Sequence, residues 1–126
     1  MTAFVRFLNS LGLVLALGLI GCGGGMGRAM HAFDEGRYPD AAGEFRELES
    51  ETGDWSPRDR ARYALYRGLT HLSCGDAREA TRWLGSAKRA FDRDPNLFDV
   101  REQGRLLAAW RSMGLMPGEA AHAPVY

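Results

Sequence analysis

Gly75-Asp-Ala-Arg-Glu-Ala80-Thr-Arg-Trp-Leu84-Gly-Ser-Ala87 repeats the pattern of Gly36-Arg-Tyr-Pro-Asp-Ala41-Ala-Gly-Glu-Phe45-Arg-Glu-Leu48, 39 residues earlier in the chain. Each stretch opens on a glycine, the residue that ends a helix most easily. An alanine follows after five residues, a bulky apolar residue four further on, and a third apolar residue three beyond that. This is the inward stripe of a new helix. Pro57 and Pro95 then follow 38 residues apart. A period of this length predicts stacked helical hairpins, each too small to bury its apolar face alone.

Outward from these two stretches the chain reads as helix throughout. No segment sustains the period-two alternation of a half-buried strand. Five helices are predicted, at about 26–35, 38–51, 57–74, 76–93 and 97–113, with breaks at Gly36, 52–55, Gly75, 94–96 and Gly114. Ser56-Pro57-Arg58-Asp59 places a cap hydroxyl, a first-turn proline and an acid where a helix start needs them, and Asp76 with Glu79 forms a capping-box variant. Ala77, Ala80, Leu84, Ala87 and Phe91 point the fourth helix inward, while Arg78, Arg82, Arg89 and Arg93 point out. The expected fold is all-α, a solenoid of antiparallel helical hairpins with about two and a half repeats.

These features resemble the tetratricopeptide repeat. Its alanine followed by a bulky residue four positions on is present as Ala41 with Phe45 and Ala80 with Leu84. The small residue twelve positions before each alanine is present as Ala29 and Gly68. Gly36-Arg37-Tyr38 and Gly75-Asp76-Ala77 stand for its hairpin turn, and Asp94-Pro95 for its terminal dipeptide. The repeats run about a helical turn longer than the family's usual length of about 34 residues. Ala64 and Arg67-Gly68 replace the expected tryptophan and Leu-Gly, and His71 replaces an aromatic residue. The resemblance implies a concave groove, lined by the first helix of each hairpin, that holds a partner's helix or extended segment.

The N-terminus carries a different message. Arg6 precedes an apolar run, 11–20, that ends in Leu19-Ile20-Gly21-Cys22. The run has the length of a secretory signal and is short for a membrane span of about 20 residues. It resembles a bacterial lipoprotein signal, which implies cleavage before Cys22, a diacylglyceryl group and an amide-linked fatty chain on that cysteine, and an address in the cell envelope. Gly23 in place of aspartate favours the periplasmic face of the outer membrane in the enteric sorting pattern. Two or more acyl chains hold a protein stably where one does not. The predicted organisation is a signal peptide at 1–21, a lipidated cysteine and glycine tether at 22–27, a helical domain at 28–114 and a loose tail at 115–126.

Composition excludes several functions. The formal net charge is zero, with 16 basic and 16 acidic residues, so nothing global points to nucleic acid. The charge is divided unevenly: 28–54 holds 8 acidic and 3 basic residues, and 56–111 holds 12 basic and 7 acidic. Such a division can steer a partner or pair the halves of an array. With Cys22 acylated, Cys74 has no intramolecular partner and is expected as a small half-buried residue. His31, His71 and His122 are scattered, and His71 with Cys74 falls short of the three or four ligands zinc requires. No nucleophile elbow or phosphate loop is present. The expectation is a non-enzyme without metal, cofactor or small-molecule substrate.

A protein-binding surface is the expected function. Tyr63, Tyr66 and Arg67 on the third helix, with Arg101, Arg105 and Trp110 on the fifth, are the candidate contacts, since tyrosine, tryptophan and arginine anchor interfaces. The competing reading packs the tyrosines against the second and fourth helices and uses Trp110 to close the core. Lipoproteins with such repeats resemble assembly factors for outer-membrane, pilus or secretion complexes, so the expected role is a membrane-anchored adaptor for another envelope protein. The alternative is a small structural subunit whose array is completed by a partner or a second copy.

Overall fold

The computed structural model describes residues 24–114, and these are helical almost throughout. They form five α-helices: α1 (Gly24–Asp34), α2 (Tyr38–Glu47), α3 (Pro57–Ser73), α4 (Ala77–Arg93) and α5 (Val100–Ser112). Two 3-10 turns, Glu49–Asp54 and Pro95–Leu97, join α2 to α3 and α4 to α5. The helices alternate in direction as antiparallel hairpins, with α3 packed most extensively on α4 and α1 on α2.

Three glycines give the array its period. Gly36, Gly75 and Gly114 have φ of 76°, 78° and 72°, and they are the residues of positive φ in the described chain. Each stands two residues past the end of α1, α3 or α5. At Gly36 the amide donates to the Phe33 carbonyl at 3.0 Å and the next amide, Arg37, to Ala32 at 2.9 Å. Gly75 and Asp76 repeat both bonds to Leu72 and His71, at 3.1 and 2.9 Å. This double closure satisfies carbonyls at the helix end and needs a left-handed residue, which glycine adopts without a Cβ clash.

The repeat positions form the core. Ala29, Ala41, Phe45, Ala80, Leu84 and Ala87 are fully buried, and Leu48 nearly so. Gly68 lets α3 approach α4 closely: a Cβ there would stand 2.7 Å from Leu84 Cγ and 2.9 Å from the Leu84 backbone nitrogen.

Several local expectations are corrected. Gly24 to Gly27, expected as tether, belong to α1. Gly25 serves packing there, because a Cβ would meet Leu48 Cδ2 at 2.5 Å. The second α-helix stops at Glu47 rather than 51 and tightens into the 3-10 turn. The fifth starts at Val100 rather than 97, where Asp99 and Glu102 form a reciprocal capping box. Ala77, placed inward by periodicity, is exposed at the first turn of α4, and Cys74 is exposed at the end of α3. The signal peptide, Cys22 and the 115–126 tail lie outside the described residues.

Candidate binding cleft

α1, α3 and α5 lie side by side and are tied at two levels. At the lower level Arg62 Nε donates to Glu102 Oε1 at 2.8 Å, and Arg62 Nη2 stands 3.8 Å from Met30 Sδ. Glu102 is 2% exposed, and its second oxygen accepts the Asp99 amide at 3.1 Å. A buried carboxylate is tolerated when a cation and further donors satisfy it, as here. One level higher, the Phe33 and Tyr66 rings meet edge to face at 5.6 Å. The Arg105 guanidinium lies 5.9 Å from the Phe33 ring and 5.8 Å from the Tyr66 ring. It donates to Tyr66 Oη at 3.4 Å.

Beyond this level lies an open cleft of about 530 Å³. Phe33, Tyr38, Leu69, Arg105, Ala108 and Ser112 are among its walls. Its floor is apolar and its charged groups are Arg105 and, from α1, Asp34. Arg105 has no carboxylate within 4.0 Å among the described residues, so its guanidinium is held by aromatic faces and left open to an incoming anion.

The sequence-selected residues divide between this cleft and a second, buried centre. Arg105 lines the cleft. Tyr66 is 5% exposed and lies under Arg105 as its support. Burial, then the nearby Glu102 charge, holds the Tyr66 phenol above its usual pKa, so it stays a neutral hydrogen-bonding group. Arg101 is exposed at the opposite end of α5, and half-buried Trp110 packs toward α4 with Lys88 Nζ 6.0 Å from its ring.

Tyr63 and Arg67 belong to the centre between α2, α3 and α4. The Tyr63 ring meets Phe45, Trp55 and Trp83 edge to face at 5.8, 5.6 and 5.5 Å. Its hydroxyl donates to the Phe45 carbonyl at 2.6 Å and accepts from Arg67 Nη1 at 2.7 Å. Arg67, 5% exposed, stacks on Trp83 at 4.3 Å and pairs with Glu49 of the 3-10 turn at 3.0 Å. Both side chains are buried between the helices that they join. His71 is 5% exposed. Burial, and after it the Arg67 charge, holds its imidazole below the usual pKa range.

Periodicity missed Phe33, Tyr38, Leu69 and Ala108 as a wall. A helix's own pattern marks its apolar stripe, and the meeting of residues from four different helices at one wall is not written in any one of them. Among the described residues no group of three His, Cys, Asp or Glu side chains could hold a metal ion. No protein-family model, curated protein or solved structure matches this chain.

Proposed function

We propose that this protein is a lipid-anchored adaptor of the bacterial envelope that binds a segment of another protein in the α1–α3–α5 cleft. The observation that carries the reading is Arg105, held on two aromatic faces beside an apolar floor and without an acid of its own. A helix or extended segment with an apolar side chain next to a carboxylate fits that chemistry. The three left-handed glycines at a 39-residue period support the tetratricopeptide-like reading, in which first helices line the groove. Cys22, by its signal, supplies the anchor.

Site-specific photocrosslinking in envelope membranes tests this. A crosslinker at Ala108, on the cleft rim, is expected to give a discrete adduct that Arg105→Ala removes; one at Arg82, on the outer face of α4, gives none. Equal labelling from both positions, or none from Ala108, rejects the cleft. The structural-subunit reading is favoured by the half-buried Trp110 and Met113 on the last described helix. It predicts adducts from that face and a domain that self-associates by light scattering.

A further inference from the structure

The two lateral levels fix which end of the array faces where. From the Met30–Arg62–Glu102 level to the Phe33–Tyr66–Arg105 level, residue numbers rise in α1, α3 and α5 alike. The three helices are therefore parallel, and their first turns share one end of the molecule. The last turn of α4, which runs antiparallel to α3, lies at that end as well. Cys22 precedes Gly24 by two residues, a reach of about 7 Å at ~3.5 Å per residue. With Gly25 packed on Leu48, little slack separates this end from a lipid on Cys22.

The same end carries an unusual combination of side chains. Val100, at the start of α5, is 86% exposed and is the large apolar residue left in solvent among the described residues. Arg58, Arg60, Arg93 and Arg101, all exposed, lie at the same end, on the first turns of α3 and α5 and the last turn of α4. None has a carboxylate within 4.0 Å among the described residues, where the ion pairs involve other cations. The nearby acids keep their charges, so the four arginines exceed the carboxylates on this side that have no cation partner, Asp59, Asp94 and Asp99, by one. Asp94 accepts the Asn96 amide at 3.0 Å, Asp99 accepts the Glu102 amide at 2.7 Å, and Asp92 pairs with Lys88 at 2.6 Å. Asp59 stays exposed among the arginines. The acidic turn Glu49–Asp54 is at this end too, on the α1–α2 side where the chain enters. Anionic headgroups repel that side and attract the α3–α5 side, which tilts the array about its anchor.

We propose that the α3–α5 side of this end rests on the anionic bilayer surface that receives the Cys22 lipid. Val100 enters the interface, and Arg58, Arg93 and Arg101 contact lipid phosphates. The cleft then opens at the far end: Ser112 lies about 18 Å along α5 from Val100, at ~1.5 Å rise per residue. The anchor thus orients the cleft away from the membrane. The orientation depends on the lipid anchoring proposed above.

The acylated full-length chain, with Cys74→Ser, is reconstituted in phosphatidylglycerol–phosphatidylethanolamine vesicles containing nitroxide-labelled lipid. A fluorophore is placed at Asn96→Cys or at Ser112→Cys. Quenching is expected to be several-fold stronger at position 96, and Val100→Asp with Arg101→Glu is expected to bring it down to the level at 112 while circular dichroism stays unchanged. Equal quenching at the two positions in acylated, vesicle-bound protein overturns the orientation and leaves the anchor standing. Absence of acyl label on Cys22 overturns the anchor and the orientation together.

Discussion

Gly68 is the residue on which the central hairpin closes. Its missing Cβ is space occupied by Leu84, including a backbone atom that cannot rotate away. Gly68→Ala is therefore expected to cost about 1–3 kcal/mol by overpacking, despite alanine's better helix propensity. Gly43, inside α2 with nothing within 4 Å of an added Cβ, is the control. Gly43→Ala should raise stability by up to about 1 kcal/mol. Thermal melts of the two variants moving in opposite directions would verify the pair. His71 sets a pH dependence by the same burial. Its folded pKa lies below the unfolded value, so the unfolded chain takes up its proton first as pH falls. Stability from this residue is complete above the unfolded pKa of about 6.5 and is lost as pH drops toward the folded value. Urea midpoints should fall between pH 7.5 and 5.5, and His71→Gln should flatten that part of the profile.

At the scale of the element, each first helix of a hairpin ends on a left-handed glycine, and the ends at Gly36 and Gly75 close with the same pair of hydrogen bonds. A side chain in that conformation costs about 1–2 kcal/mol. Gly75→Ala should lower stability by that amount, read as a lower melting temperature, and Gly75→Asn by less, since asparagine tolerates the conformation. If alanine at 75 were harmless, the turn would not be what sets the register of α4 on α3. The element scale also shows where periodicity reads well. α3 and α4 have their caps in sequence, Ser56 accepting the Asp59 amide and Asp76 the Glu79 amide. Periodicity starts α5 three residues early, because Leu97 and Phe98 are apolar and look like a first turn. They instead form the 3-10 turn and an extended residue, Phe98 is buried against the core, and Asp99 is the true cap.

For the whole molecule, one ion pair among the described residues joins the acidic first hairpin to the basic remainder, Arg67 with Glu49 across the α2–α3 junction. Arg62 with Glu102 ties α3 to α5 inside the basic part. What sequence alone determined is the all-helical class, the glycine-and-alanine period and the inward stripe of α4, because all three are local: turn conformation and 3.6-residue periodicity act within a few residues. Which aromatic and arginine side chains are free was decided only by tertiary structure. Tyr63 and Tyr66 are three residues apart on one helix, yet one is locked among Phe45, Trp55 and Trp83 and the other underlies the cleft. Arg67 and Arg105 differ in the same way. A guanidinium can satisfy itself by stacking and pairing inside a junction or stay open at a rim, and the choice depends on what three other helices bring to it.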